Sequence, residues 1–372
     1  MMIDGLDQQH PGAVSSNAIQ PEVPWHYQVC EILEGRHDSC RAKRGELSMT
    51  ERVSKHFVCV FLVPLTMLCG LLLFAISASA QFPAEMNPLV RRGDTQQVAG
   101  HTHIILDENA TFVPNVGIVV GERATLIIDT GLGERNGRII LREARGLSSN
   151  DKFVVAATHY HPEHDLGAEA FPDDAILVRW SEQQREIDRF GLETIERFSS
   201  FAPVVAELLE GVQYREADVI FPDEVTLDLG GVHVRVIGVG PNHTIGDTVF
   251  FVEEDKVLFA GDVVMPVFPA ASAQFGNVDK WIANMDAFEA LGPAVLVPAH
   301  GALGNVDSIR VYRDYLTAVR DRATGLASSR ADVDSVIQAV ATEIAAEFAV
   351  LHPATGSPTG RIASAIRMAL RE

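Results

Sequence analysis

The sequence predicts an α/β protein in which two related halves pack their sheets face to face and carry their helices outside. Apolar runs typical of strands are followed by helical patterns in two successive rounds, and each round ends in loops that carry histidines. Residues 81–372 contain no low-complexity tract and no linker-like segment, so one domain is favoured over two.

The first round consists of short apolar runs punctuated by Gly117 and Gly121 and interrupted by the turn Asp129-Thr130-Gly131. Apolar residues at roughly helical spacing then predict a helical stretch before the second round. The predicted elements are strands over 102–106, 115–120 and 124–128, a helix over 138–144, strands over 153–158 and 175–178, and helical structure over 181–213.

The second round repeats this order, and further helical patterns follow it to the end of the chain. The predicted elements are strands over 225–229, 232–237, 248–252 and 257–260, a helix over 279–291, a short strand over 295–297, and helices over 306–323, 333–348 and 359–370.

An export signal is predicted near the N-terminus. Residues 57–76 are almost wholly apolar, follow Arg52 and Lys55, and lead into an Ala-Ser-Ala site at residues 78–80. This pattern predicts a signal peptide over 49–80 and a periplasmic or secreted protein. Because the apolar stretch is long enough to span a bilayer, an uncleaved anchor in the inner membrane is the alternative. We interpret residues 1–48 as a disordered extension, or as a misassigned one if translation starts at Met49.

Composition argues against several functions. The chain of 372 residues has 50 acidic and 30 basic side chains, and an acidic surface repels phosphate backbones, so we expect no nucleic-acid partner. Its four cysteines lie at positions 30, 40, 59 and 69. Residues 81–372 therefore offer no thiolate metal ligand, no cysteine nucleophile and no disulfide.

The residues with the clearest chemistry follow the predicted strand over 153–158. His159, His161, Glu163 and His164 lie within six positions. Imidazole nitrogens and carboxylate oxygens are ligands of Zn²⁺ and similar metals. Placing them this densely is costly unless a cation compensates, so the cluster predicts a metal site, and its spacing suggests more than one ion.

Three further ligand-type residues occur at strand ends, each with a glycine nearby. His243 lies in Gly240-Pro241-Asn242-His243, Asp262 follows Gly261, and His300 precedes Gly301. Glycine permits tight backbone geometry close to a ligand.

These motifs, in this order, resemble those of the metallo-β-lactamase fold superfamily over residues 95–305. The resemblance implies a four-layer αβ/βα sandwich in a single domain, over 81–372, that ends in C-terminal helices. It also implies that His159, His161 and His243 hold one metal. Glu163, His164 and His300 would hold a second, with Asp262 bridging the two.

Two positions depart from the best-known members. Glu163 stands where the superfamily usually has Asp, so the second metal is expected to be displaced or weaker, and a helix N-terminal charge is the other interpretation of this residue. Asp262 occupies the slot where the best-known β-lactamases carry Cys or Ser, which resembles thioesterases and lactonases. The lysine that some β-lactamases place just after this slot is missing.

Together with the predicted export signal, the resemblance implies an exported binuclear hydrolase of a small carbonyl substrate: a β-lactam, lactone, thioester or other ester. Two divalent ions, preferably Zn²⁺ with iron or manganese as alternatives, would activate a water and polarise the carbonyl. Glu163 and Asp262 are the candidate catalytic residues that orient the nucleophile and move its proton. We expect membrane contact only through the N-terminal signal or anchor.

Two other functions are compatible with the same residues. Persulfide dioxygenase relatives use a similar cluster with a single iron, and a catalytically weak accessory protein of a periplasmic pathway would also bind metal. Nuclease relatives are disfavoured because the stretch between Asp262 and His300 is too short for their inserted domain.

Several neighbouring residues have two interpretations. Asp129 either orients a ligand histidine or holds its own turn. The helical stretch over 181–213, with Phe190 and Phe198, either overhangs the site or packs in the core. The loop over 265–275, with Phe268 and Gln274, is the preferred candidate for substrate contact. The pair His101 and His103 is not expected to bind metal.

Overall fold

The computed structural model describes residues 86–269, 276–327, 333–351 and 357–371. The predicted signal or anchor, the extension over 1–48 and the candidate Gln274 lie outside these residues and stay predictions. Within the part of the chain that is described, none of the helices is long and apolar enough to cross a membrane.

The first half of the chain forms a seven-stranded sheet in which the strands follow one another in chain order. Strands β1 to β4 pair antiparallel, and β4 to β7 pair parallel. The strands are β1 Thr95–Gln97, β2 Thr102–Ile105, β3 Val116–Val120, β4 Thr125–Ile128, β5 Phe153–Ala156, β6 Ile176–Trp180 and β7 Val219–Phe221.

The second half forms a five-stranded sheet in the order β12-β11-β10-β9-β8. Its strands pair antiparallel except for β11 and β12, which run parallel. The strands are β8 Glu224–Asp228, β9 His233–Gly238, β10 Thr248–Val252, β11 Val257–Gly261 and β12 Val295–Pro298.

Helices cover the outer faces of both sheets. They are α1 Gly133–Leu147, the one-turn helix α2 Pro162–Asp165, α3 Ser181–Ser199, α4 Pro203–Leu208, α5 Val278–Leu291, α6 Val306–Ala327, α7 Val333–Glu347 and α8 Pro358–Ala369. Helix α1 packs on the first sheet, and α5 to α8 share one apolar core with the second sheet.

Side-chain alternation explains the layered arrangement. On β4, Leu126 and Ile128 point into the core between the two sheets, whereas Ile127 points into the core beneath α1. On β10, Phe250 lies in the core between the sheets and Phe251 lies in the core against the helices. Both faces of each central strand are therefore buried, which requires two sheets between two helical layers. The predicted α/β sandwich is confirmed.

The sequence-based elements differ from the structure in a few places. Helix α1 begins five residues before the predicted position 138, and the stretch over 181–213 is two helices because Pro203 starts a new one after a break. Strands β1 and β7 were not predicted. Each lies at an edge of the sheet and has only three residues. Those of β1 are polar, and the three apolar residues of β7 are too few to indicate a strand.

Candidate metal centre

The loop after β5 carries four of the ligand-type residues and is held from three sides. The Thr248 N–H donates to the Thr158 carbonyl at 2.7 Å, which ties the loop to the second sheet. The Thr130 N–H donates to the His164 carbonyl at 2.7 Å, and the Tyr214 hydroxyl donates to the Tyr160 carbonyl at 2.7 Å. The loop is thus rigidly placed before any side chain of the site is considered.

A first group of nitrogens comes together at the junction of the two sheets. His161 Nδ1 lies 3.0 Å from His159 Nε2 and 3.2 Å from His243 Nε2. His159 Nδ1 faces the Thr158 hydroxyl at 3.2 Å, which leaves Nε2 to point into the group. These three histidines are the ones predicted to hold the first metal.

A second group lies beside the first and contains Glu163, His164 and His300, whose ligand atoms lie within 4.8 Å of one another. His164 Nε2 is 3.9 Å from Glu163 Oε1. The His300 Nδ1–H donates to the Val113 carbonyl at 3.0 Å, so its Nε2 is turned toward the group.

Asp262 lies between the two groups. Its Oδ2 is 3.4 Å from His243 Nε2, and its Oδ1 is 3.9 Å from His300 Nε2. The preceding Gly261 has φ +56°, and a Cβ there would lie 2.8 Å from the Thr158 Cβ. Only glycine allows β11 to end this close to the ligand loop, which brings the Asp262 carboxylate to both groups.

Asp129 performs both roles that the sequence left open. Its Oδ1 accepts the Thr158 N–H at 2.7 Å, which holds the turn and the ligand loop together. Its Oδ2 faces His164 Nδ1 at 2.9 Å and the Thr158 hydroxyl at 3.1 Å. The contact with Nδ1 turns Nε2, the nitrogen that a metal would take after displacing its proton, toward Glu163 and His300.

Burial and charge shift the pKa values of the site strongly. Burial lowers the pKa values of His159 and His161 well below their usual range, and the neighbouring imidazoles add to the effect, so both rings are neutral. Burial also lowers the pKa of His164, but the Asp129 carboxylate outweighs it and raises that pKa to about 9.

The two carboxylates of the site shift in opposite directions. Burial raises the pKa of Glu163, and the nearby histidines only partly offset this. Burial also opposes ionisation of Asp262, but the charges of His243, His300, His164 and Arg361 outweigh it and hold its pKa below the usual range.

These residues fit a pair of cations. Two nitrogens bound to one tetrahedral Zn²⁺ at 2.0–2.1 Å lie roughly 3.3 Å apart, close to the spacings of the first group. In the second group and on the neighbouring Asp262, three atoms are buried and have no hydrogen-bond partner in the described structure: Glu163 Oε2, His164 Nε2 and Asp262 Oδ1. Such atoms cost free energy unless a ligand satisfies them, and a cation satisfies all three.

The sequence did not indicate two buried carboxylates that support the loops. Asp165 pairs with Arg179 on β6, with both oxygens 3.0–3.1 Å from one guanidinium nitrogen. On α3, Glu186 accepts the Ile245 and Gly246 N–H groups at 3.0 and 2.6 Å, which fixes the loop that carries His243. No local pattern marked Glu186, because it lies among several other charged residues of α3.

The structure places the two aromatic residues considered for the site, Phe198 and Phe268, in different surroundings. Phe198 is buried in an apolar cluster, and its ring centroid lies 5.6 Å from that of His161. The same ring therefore packs in the core and forms a wall of the site. The interpretation of Phe268 as a substrate contact is wrong. Its ring is buried against Tyr315 on α6, because the residues after Asp262 turn into the helical core.

The predicted non-ligand pair is also placed. Neither His101 nor His103 is in a candidate metal group among the described residues. The Asp255 carboxylate accepts the His101 N–H at 2.8 Å and the Thr102 hydroxyl at 2.6 Å. This contact anchors the start of β2 to the second sheet.

Residues 110–300, which contain every ligand-type residue of the site, match the family model of the metallo-beta-lactamase superfamily. The chain belongs to this superfamily. The resemblance seen in the sequence is confirmed, and membership implies that the site binds divalent metal. At the level of the superfamily, the protein is a metallo-hydrolase.

Curated relatives support a hydrolase at modest similarity. The linear primary-alkylsulfatase of Pseudomonas sp. (strain ATCC 19151) is 22% identical over 58% of this chain and 47% of its own length. The acyl-coenzyme A thioesterase MBLAC2 of Homo sapiens is 28% identical over 40% of this chain and 58% of its own. The chain therefore spans about half the length of the curated relatives it matches.

Solved structures agree on the fold. The stereoselective inverting sec-alkylsulfatase Pisa1 from Pseudomonas sp. superposes with a TM-score of 0.58 at 15% identity. The match covers 74% of this chain and 49% of that protein. At this identity the likeness concerns the fold alone.

Proposed function

We propose that the protein is an exported hydrolase that holds two divalent metal ions and cleaves a small ester or thioester. One observation carries the proposal. Seven ligand-type side chains from four separate loops meet in two adjacent groups, and three of their buried polar atoms have no partner among the described residues.

In this proposal His159, His161 and His243 hold one ion, and Glu163, His164 and His300 hold the other, with Asp262 shared. Zinc suits these sites best, because all the donors are imidazole nitrogens or carboxylate oxygens. The distances between the nitrogens of the first group are also close to those around a tetrahedral zinc ion. Such ions supply Lewis acidity and make a nucleophilic water available at neutral pH.

The protein residues divide the remaining work. Asp262, whose pKa is lowered, stays ionised and balances the positive charge of both groups. Glu163 would hold the second ion through its carboxylate, and the oxygen not bound to the ion would orient the nucleophilic water and accept its proton. Phe198 supplies an apolar wall beside His161 for the hydrophobic part of a substrate.

Ester and thioester substrates are favoured over β-lactams. Named relatives of the chain include an alkylsulfatase and an acyl-coenzyme A thioesterase, both of which cleave ester-like bonds. The acidic composition opposes nucleic acid as a substrate. We therefore propose a small-molecule substrate as the partner of the site.

The test is metal quantitation combined with a substrate panel on the purified, metal-loaded protein. We expect two zinc ions per chain and turnover of acyl thioesters or carboxylic and sulfate esters. His161→Ala is expected to lose most of the turnover and one ion. The matched control is His233→Ala on β9, a half-buried histidine outside the metal groups that pairs with Glu254. Turnover that survives His161→Ala unchanged would contradict the assignment.

Export is proposed from the apolar segment over 57–76 and the cleavage-type site at residues 78–80. Its measurement is the mass of the protein recovered from the periplasmic fraction of the producing cells. A chain that begins at Gln81 supports cleavage, whereas an intact chain in the membrane fraction supports the anchor. Protein that stays in the cytoplasm contradicts both.

A further inference from the structure

A cavity of about 800 Å³ lies beside the first turns of α1, and none of the seven ligand-type residues lines it. Its volume is within the range of roughly 300–1,000 Å³ that is typical of small-molecule sites. Its walls are the segment over 86–92, the loop over 107–111 and the side chains of Arg135 and Ile139 on α1. The cavity is therefore large enough for a ligand and is separate from the metal ligands.

Hydrogen bonds to α1 hold one wall of this cavity in place. The buried Asn136 side chain accepts the Val90 N–H at 2.7 Å. The Glu143 carboxylate accepts the Gly93 N–H at 3.1 Å. These two contacts lie on either side of residues 91–92, so the part of the segment that faces the cavity is fixed without a ligand.

Cationic side chains are concentrated in this cavity, and two of them have no counter-charge. Arg91, Arg92 and Arg135 line it, in a chain with 50 acidic and only 30 basic residues. Arg91 pairs with Glu108 at 3.1 Å and with Asp94 at 2.6 Å. The exposed guanidinium groups of Arg92 and Arg135 form neither an ion pair nor a hydrogen bond with the described residues.

The acids of the lining do not neutralise these two arginines. Glu108 already pairs with Arg91. Asp107 is buried, and its carboxylate accepts the Gly301 N–H at 2.8 Å and the Asn109 N–H at 3.1 Å. Both carboxylates are thus engaged, and the cavity keeps two positive charges that a ligand can meet.

The chemistry of the lining selects the class of ligand. A guanidinium is permanently charged and can only donate hydrogen bonds, so it matches a negatively charged group with several acceptor oxygens. Apolar side chains complete the lining, among them Leu89, Val90 and Ile139. They favour a hydrocarbon part next to the charged group. A cation fails the first requirement, and a fully polar anion does not use the second.

The loop over 107–115 is common to the cavity and the metal centre. Residues 107–111 include one wall of the cavity. The Val113 carbonyl accepts the His300 Nδ1–H at 3.0 Å, and the Phe112 ring lies 5.5 Å from that of Phe198, the apolar wall beside His161. A molecule in the cavity is therefore separated from the metal ligands by this loop alone.

We propose that the cavity binds an amphipathic anion, whose carboxylate, sulfate or phosphate group is held by Arg92 and Arg135 and whose hydrocarbon part contacts the apolar lining. The anion is either a distal group of the substrate or a separate small molecule. The first source rests on the proposed function, whereas binding of the anion does not.

The first experiment measures binding without turnover. The metal-loaded full chain is titrated calorimetrically with hexanesulfonate, and with hexanesulfonamide as its neutral analogue. We expect the sulfonate to bind more tightly than the sulfonamide, by about fivefold or more. The double variant Arg92→Met, Arg135→Met should bind the sulfonate about tenfold more weakly, because it loses two charge-assisted hydrogen bonds that solvent partly screens.

The matched control removes the same charge from the same helix. The double variant Arg138→Met, Arg145→Met replaces two exposed arginines of α1 that do not line the cavity, and it should keep the wild-type affinity. Equal affinity of the wild type and the Arg92→Met, Arg135→Met variant is the result expected if the sulfonate binds only at the metals, and it overturns the proposal. Absence of binding to the wild type also overturns it.

The second experiment distinguishes the two sources of the anion. Glutaryl and suberyl thioesters, which end in a carboxylate, are compared with pentanoyl and octanoyl thioesters of the same thiol. If the anion belongs to the substrate, the Arg92→Met, Arg135→Met variant raises KM for at least one acidic ester about fivefold and leaves the neutral esters within about twofold. Unchanged KM values together with lost sulfonate binding indicate a separate anion.

Two other results have a definite meaning. An equal rise in KM for the acidic and the neutral esters indicates a structural effect and contradicts the assigned role of the two arginines. If none of the esters is cleaved, the proposed function fails, whereas the sulfonate titration still decides whether the cavity binds an anion.

Discussion

Replacing Asp129 with asparagine tests whether this residue prepares His164 for metal. The carboxylate accepts the Thr158 N–H with one oxygen and serves His164 Nδ1 and the Thr158 hydroxyl with the other. Asparagine keeps the shape but has a single acceptor oxygen. Asp129 has φ +66°, a conformation that asparagine tolerates well, so backbone strain does not confuse the comparison as it would with alanine.

The magnitude follows from the contact that is lost. If the amide oxygen stays on the Thr158 N–H, the amide N–H₂ group faces the His164 Nδ1–H, and two donors oppose each other. A hydrogen bond to a charged group contributes about 1.5–3 kcal/mol. Alternatively, the ring changes tautomer and protonates Nε2, the atom turned toward Glu163 and His300. Either outcome weakens metal binding at His164 by about 10- to 100-fold.

The assay is a zinc titration of the metal-free protein against a chromophoric chelator. We expect the site that contains His164 to weaken more than the other in Asp129→Asn, because Asp129 contacts His164 directly and reaches His159 only through the Thr158 hydroxyl. The matched control is Asp151→Asn, an exposed aspartate just before β5. Two sites of wild-type affinity in Asp129→Asn would refute the positioning role.

Three further changes have definite expected results. Glu186→Gln removes one of two acceptors for the loop that carries His243, so the affinity of the first metal should fall about tenfold in the chelator titration. Asp165→Asn leaves the buried Arg179 without its counter-charge and should lower the free energy of unfolding by about 3–5 kcal/mol in a denaturant titration. Burial depresses the pKa of His161. Below pH 6.5 the unfolded chain therefore binds a proton there that the native metal-free chain does not, and the free energy of unfolding decreases as the pH is lowered. In His161→Gln this acid loss of stability should be shallower.

Each of these results has a control. Glu182→Gln changes a partly exposed acid in the first turn of α3 that pairs with Arg185, and it should leave metal affinity unchanged. An equal effect of both substitutions would contradict the role of Glu186. Asp173→Asn, an exposed change, should alter stability little. For the pH experiment, identical curves for wild type and His161→Gln would mean that this ring does not stay neutral on folding.

The sequence predicts the metal ligands better than the residues that hold the ligand loops in place. Clustered histidines and acids are recognisable as ligands by their chemistry, whereas a residue that supports a loop has no such feature. His159 and His300 each follow an apolar strand, and strand ends meet at one edge of a layered fold. The pairing of Asp165 with Arg179 joins residues on two separate elements, and no local pattern requires it. Glu186 looks like any acid on a helix until the loop packed against it is known.

The error at Phe268 has a similar origin. A residue close behind a ligand in the sequence is expected near the substrate, but chain direction decides whether it turns outward or inward. After Asp262 the backbone turns into the core formed by α5, α6 and α8, where Trp281 and Arg361 hold its carbonyls. Helices α6 and α8 lie beyond the last ligand, His300, so no motif around the metal site could reveal the contact with Arg361.

The position of the ligands explains why the two halves must pack as they do. Four of the seven side chains, from His159 to His164, come from one loop of the first half, whereas His243, Asp262 and His300 come from three loops of the second. Each metal group contains residues from both halves. Direct contacts across the junction, such as the Thr248 N–H to the Thr158 carbonyl and the Asn115 amide to the Pro298 carbonyl, therefore set the metal spacing as much as the ligands do. The packing of the two sheets therefore fixes the geometry of the metal centre, and a shift of one sheet against the other would change both metal groups together.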